Sequence, residues 1–156
     1  MCLRIIPFVA LLGLAACEQG NGSDTIPEPA DSVLKPDDHK HNWLVISSEG
    51  NTVVLADSSY KEVFETEQAS YPKALIRVYA GYSTSSSYFA DSIAAVDCNS
   101  SQMAPFVAFY ADDETGEGER VTYPREFRST AEMNPNTRSA IFGHVCGPEW
   151  SYEAPR

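Results

Sequence analysis

From Asn42 onward, short runs of β-branched and aromatic residues alternate with polar ones, and clusters of Gly, Ser, Asn and Asp separate them. This is the period of strands with the punctuation of turns. Trp43 to Ile46 and Thr52 to Ala56, flanking Gly50-Asn51, predict a β-hairpin. Ser58 to Gln68 follows neither a strand nor a helix period and is expected to be an irregular link. In Lys73 to Tyr82, Ala74, Ile76 and Val78 fall on one side and Arg77 and Tyr79 on the other, which predicts a half-buried strand. The polar loop Ser83 to Ser87 precedes a further strand in Tyr88 to Asp97. Gln102 to Tyr110 is the most apolar run, and Pro105 within it predicts an edge position or a bulge, because proline cannot donate to a ladder. The acidic turn Ala111 to Gly118 then leads to a returning strand, Glu119 to Tyr123.

Near the end the period changes. Asn134 can cap a helix, Pro135 suits its first position, and Ala140, Ile141, His144 and Val145 recur at helical spacing before Gly147. The predicted class is α+β: an antiparallel sheet of five or six strands with one C-terminal helix packed on it.

The start of the chain obeys different rules. Ile5 to Leu14 is an unbroken apolar run behind Arg4, and Ala15, Ala16 and Cys17 follow. The run is too short to span a bilayer, which needs about 20 apolar residues, and has the layout of a secretory signal peptide. Leu14-Ala15-Ala16-Cys17 resembles the lipobox of bacterial lipoproteins. The resemblance implies cleavage before Cys17, lipidation of that cysteine, and attachment to a membrane through two or three acyl chains, enough for stable anchoring. Glu18 stands where an Asp often marks inner-membrane retention in such lipoproteins, so the expected location is the cell envelope, at the outer membrane. Residues 17–41 are rich in Gly, Pro, Ser and acidic side chains and are expected to form a disordered tether. The expected organisation is a signal peptide over 1–16, the tether over 17–41, a domain over 42–150 and a tail over 151–156.

Processing also decides the cysteines. Cys2 leaves with the signal peptide and Cys17 becomes a thioether, so Cys98 and Cys146 remain in an oxidising compartment and are expected to pair. The formal net charge is −11, and loss of Arg4 takes the mature chain to about −12. Such a chain presents no basic face for nucleic acid or anionic lipid.

Trp43, the Asp57 turn, Val96-Asp97-Cys98, Phe109-Tyr110, Tyr123-Pro124 and Val145-Cys146-Gly147 occur in an order that resembles the surface-adhesin protein E family of bacterial lipoproteins. The similarity runs from about Asn42 to Gly147. It implies a six-stranded antiparallel sheet with a C-terminal helix, tied by a disulfide and sometimes dimeric, so a homodimer is one expected assembly. It further implies an adhesin for host extracellular-matrix proteins. The family positions that map here, Cys98 and Cys146, are structural. The alternative is a periplasm-facing accessory lipoprotein that docks an envelope protein.

Candidate chemistry is sparse. Asp37, Asp38, His39 and His41 offer metal-binding atoms, but a flexible segment would not preorganise them, so a solvated tether end is expected. Asp112, Asp113, Glu114, Glu117 and Glu119 lack the spacing of an EF-hand loop and read as a solvated turn. His144 reads as a half-buried helix histidine. No GxSxG, HExxH or phosphate-loop motif occurs, so the expected protein is a non-catalytic binding module without cofactor or metal. Tyr79, Tyr82, Tyr88 and Phe89 flank a small polar loop, a combination suited to an adaptable contact surface.

Overall fold

The computed structural model describes Ser32, Leu34, residues 39–80, residues 88–112, Thr115 and residues 117–152. The signal peptide, Cys17, most of the tether, Tyr82, the Ser83 to Ser87 loop, Asp113 and Glu114 lie outside the described residues.

The strands are β1 (Trp43–Glu49), β2 (Thr52–Asp57), β3 (Val63–Glu65), β4 (Ser70–Ala80), β5 (Tyr88–Asp97), β6 (Gln102–Asp112), β7 (Gly118–Thr122) and β8 (Arg128–Ser129), followed by the helix α1 (Pro135–Cys146). The main path of the sheet is β1-β2-β4-β5-β6-β7, antiparallel throughout, while the short β3 pairs with β4 and β8 with β6. The predicted α+β class and the six main strands are present. Gly50 closes the first hairpin with a φ of 55°, opposite the Glu49–Thr52 pair. A two-residue turn with positive φ at its first central position matches the twist of the strands it joins. Asn134 caps α1 by accepting from the backbone N–H groups of Asn136 at 2.9 Å and Thr137 at 3.1 Å, and Pro135 opens the helix.

One expectation about the strands changes, and one is narrowed. The link from Ser58 to Gln68 contains β3, three residues that extend the edge of β4. Of the two positions expected for Pro105, the structure has the bulge and not the edge, because β6 pairs with β5 along its length. It sits at a bulge opposite Ile93 and Ala94, in the gap between the stretch of β6 paired with β7 and the stretch paired with β8. No neighbour there asks for its missing N–H.

Helix α1 covers one face of the sheet, where Ile141 and Phe142 pack on Val54, Ala74, Ile76 and Val96. The opposite face is also buried. It carries Leu75, Ile93 and Val107 with Tyr60 and Leu34, and a neighbouring group of Val53, Leu55 and Tyr79. Strand β4 is therefore buried on both sides, contrary to the half-buried reading. Its inward cation, Arg77, is 1% exposed and meets Asp91 of β5 directly across the sheet, with Nε–Oδ1 at 2.5 Å and Nη2–Oδ2 at 2.8 Å. Trp43 and Phe89 lie over the guanidinium at 4.8 and 4.5 Å. Pairing and aromatic cover are what allow a charge to sit inside.

Cys98, just past β5, is bonded to Cys146 in the last turn of α1, as expected, with Cα atoms 5.7 Å apart. Trp150 stacks on Phe142 at 4.4 Å and donates from its indole to the Cys98 carbonyl at 3.2 Å. The packing continues past the expected boundary at 150: Tyr152 lies 3.5 Å from the Arg138 guanidinium. Among the described residues no helix is long and apolar enough to cross a membrane.

Candidate functional site

The sheet is longer than the helix that covers it. Helix α1 packs on β1, β2 and β4, and among the described residues nothing covers the same face toward β7. The register sets what is displayed there. Val78, Ala90, Tyr110 and Glu119 form one row across β4, β5, β6 and β7, and Ala80 and Tyr88 stand in the next row. Two alanines between larger residues make a trough of about 620 Å³, lined by Val78, Ala80, Tyr88, Ala90, Tyr110 and Glu119, with Glu117 at its acidic end. Its tyrosines are the exposed large apolar residues of this region, Tyr88 at 57% and Tyr110 at 48%. The Tyr110 hydroxyl is hydrogen-bonded to that of Tyr123 at 2.8 Å, which fixes its ring. That bond, with partial burial, pushes the Tyr110 hydroxyl up from its ordinary value, so it stays neutral.

The predicted contact residues divide. Tyr88 belongs to the trough. Phe89 contributes to its lining, while its ring lies over Arg77 on the opposite face. Tyr79 does not belong: it is 2% exposed, because register places it beside Val53 and Phe89 on the inner face. Tyr82 lies outside the described residues. Val78, Ala90, Tyr110 and Glu119 were not anticipated; only a correct register across four strands brings them into one row.

A second convergence lies at the start of the domain. Asp57 ends β2 opposite Trp43, with its side chain wholly buried. Its Oδ1 accepts from the backbone N–H groups of Asn42 at 3.0 Å and Ser59 at 2.9 Å and from the Ser59 hydroxyl at 2.5 Å. Its Oδ2 meets His39 Nε2 at 2.8 Å and His41 Nδ1 at 2.7 Å. Burial alone would raise the Asp57 carboxyl, but these hydrogen bonds outweigh it and hold the group well below the usual carboxylate range. The solvated tether end expected for the Asp-Asp-His-Lys-His stretch is thus corrected at His39 and His41, which fold against the domain; Asp37 and Asp38 lie outside the described residues. Ser32 and Leu34 of the expected tether are also buried. The Ser32 N–H donates to His41 Nε2 at 3.2 Å, and Leu34 packs beside Tyr60 and Leu75. The Ser59 hydroxyl also lies 2.8 Å from the Lys40 carbonyl and 3.3 Å from His39 Nε2, so its one proton has alternative acceptors.

His144 lies half-buried beside a cleft of about 260 Å³ that it shares with Lys61, Glu62 and Lys73. The charges of that cleft are partly paired, with Lys73 3.0 Å from Glu62 and the Tyr60 hydroxyl donating to Glu62 at 2.9 Å. Burial, helped by Lys61, pulls the His144 imidazole below its ordinary value. A base depressed on folding binds its proton better in the unfolded chain. Its effect on stability is therefore absent above the ordinary value of 6.5 and unfavourable as the pH falls through it. His144→Gln is expected to match wild type in urea unfolding near neutrality and to lose less stability at about pH 5; equal losses would contradict the burial.

No protein family profile, no curated protein and no solved structure matches this chain.

Proposed function

We propose that this chain is a membrane-anchored lipoprotein, lipidated at Cys17, whose domain is a binding module for a protein partner. The observation that carries the reading is the Val78–Ala90–Tyr110 row left uncovered beside α1, with its exposed tyrosines. Apolar surface rimmed by polar groups is the usual form of an interaction site, and tyrosine gives contact area at low entropic cost. Glu117, Glu119 and the net charge of −11 select the partner's chemistry: an apolar side chain flanked by Lys or Arg. The resemblance to the protein E family supports adhesion to a host matrix protein as the form this binding takes. Docking to an envelope protein is the form in which the same trough faces the periplasm.

The test is a photo-crosslinking amino acid at position 88 of the full-length protein in living cells. A discrete adduct with a second protein is expected. It should fall at least about tenfold with Tyr110→Ala and should not form from Val63, an equally exposed position on β3. An adduct that survives Tyr110→Ala, forms equally from Val63, or contains only a second copy of this chain overturns the reading. External protease on intact cells then separates the two forms: degradation supports adhesion, and an untouched domain sinks it.

A further inference from the structure

His39 and His41 stand two apart just before β1, and both imidazoles reach the same carboxylate oxygen of Asp57. The hairpin delivers them to Asp57, because Asn42 and Ser58 are joined by a backbone bond at 2.9 Å and Trp43 pairs with Asp57 in the ladder. The three potential donor atoms, two imidazole nitrogens and one carboxylate oxygen, lie within 4.8 Å of one another. We propose that His39, His41 and Asp57 form a binding site for a divalent transition ion of the zinc class. This inference is independent of the binding trough.

Three features support it. The donor set, two nitrogens and an oxygen, is one that zinc takes, with a fourth position left for water. The carboxylate is already oriented: three donors hold Oδ1, so Oδ2 is the oxygen turned toward the imidazoles. Outer hydrogen bonds of this kind are what fix a metal-binding side chain. Access exists, since the His39 side chain is 21% exposed while those of His41 and Asp57 are 3% and 0% exposed. An ion bound at about 2.0–2.1 Å by tetrahedral donors holds them roughly 3.3 Å apart. The two nitrogen–oxygen separations of 2.8 and 2.7 Å would open by roughly 0.5 Å, and the two imidazole nitrogens, within 4.8 Å of each other, would close by up to roughly 1.5 Å.

Without an ion, the imidazole N–H groups can donate to Asp57. The Ser32 N–H aimed at His41 Nε2 places the His41 proton on Nδ1. Coordination through Nδ1 moves that proton to Nε2, with no net proton released from a neutral ring. The Ser32 N–H then loses its acceptor, so the ion and the Ser32 contact compete for His41.

The test uses the full-length lipoprotein in detergent, purified without a histidine tag, and titrated with zinc chloride. One equivalent should bind. His39→Ala and His41→Ala should each weaken binding at least about tenfold, and the double variant should abolish it. A second measurement needs no variant of the site. The chain has three histidines, and in nitrogen NMR of the imidazoles two should shift with zinc while His144, identified through His144→Gln, should not. Absence of saturable binding below about 1 mM, unchanged binding by the double variant, or no shift at His39 and His41 would overturn the proposal.

Discussion

Asp91→Ala is expected to lower the stability of the folded protein by about 3–5 kcal/mol, the cost of breaking a buried ion pair from one side. The carboxylate it removes is 0% exposed and bonds the Arg77 guanidinium through both oxygens. What remains is a cation in the middle of β4, between Trp43 and Phe89, where water cannot replace the lost partner. Burial by itself would pull the Arg77 value down, but the bonds from Asp91 outweigh it and hold the guanidinium above its ordinary value. The arginine stays charged and loses its carboxylate, keeping the Tyr79 hydroxyl at 3.4 Å as a neutral acceptor. Urea unfolding reads the loss, and a value under about 1 kcal/mol would mean that the pair is solvated. The double variant Arg77→Met/Asp91→Leu should recover most of it, since an apolar pair of similar size removes both desolvation costs. That recovery distinguishes a charge deprived of its carboxylate from a disrupted strand.

The ion pair also marks the limit of what the sequence discloses. Alternation along β4 correctly puts Ala74, Ile76 and Val78 on one face and Arg77 and Tyr79 on the other. A charged residue on the second face then reads as solvent exposure. Only the pairing of β4 with β5 shows Asp91 waiting opposite, fourteen positions along the chain. The same gap explains Tyr79, whose aromatic character suits a contact surface but whose register buries it. Local signals fared better where the physics is local. Gly50 at the turn, Asn134 and Pro135 at the start of α1, and the β-branched run of β2 each determine structure within a few residues.

The two candidate sites were legible to different degrees for the same reason. Tyr88 could be picked out as an aromatic beside a loop, but Tyr110 joins it only through the pairing of β5 with β6, across the bulge at Pro105. His39 and His41 are conspicuous in sequence, and their composition gave no cause to expect order. The missing element was Asp57, sixteen residues beyond His41, brought back by the tight hairpin between them. A segment rich in polar residues can end on a built structure when a neighbouring strand supplies a buried carboxylate.

Replacing Cys98 and Cys146 together with serine is expected to cost about 4 kcal/mol, as estimated for a loop of 48 residues in the chain-entropy model. The bridge joins the end of β5 to the last turn of α1, so the loop it closes contains β6, β7, β8 and the whole helix. In the unfolded chain this constraint removes a large set of conformations. In the folded chain it holds a corner where Trp150 stacks on Phe142 and donates to the Cys98 carbonyl. The helix keeps its own contacts without the bridge, because Ile141 and Phe142 remain buried on Val54 and Ile76. The reduced protein should therefore fold at low temperature, with native far-ultraviolet circular dichroism, and unfold at a much lower urea concentration than the oxidised form. The trough lies on the uncovered part of the sheet, away from this corner, so crosslinking from position 88 should survive reduction wherever the protein remains folded. Oxidised and reduced protein differing by less than about 1 kcal/mol would show that the bridge constrains little; crosslinking lost before unfolding would show that the trough depends on the helix being pinned.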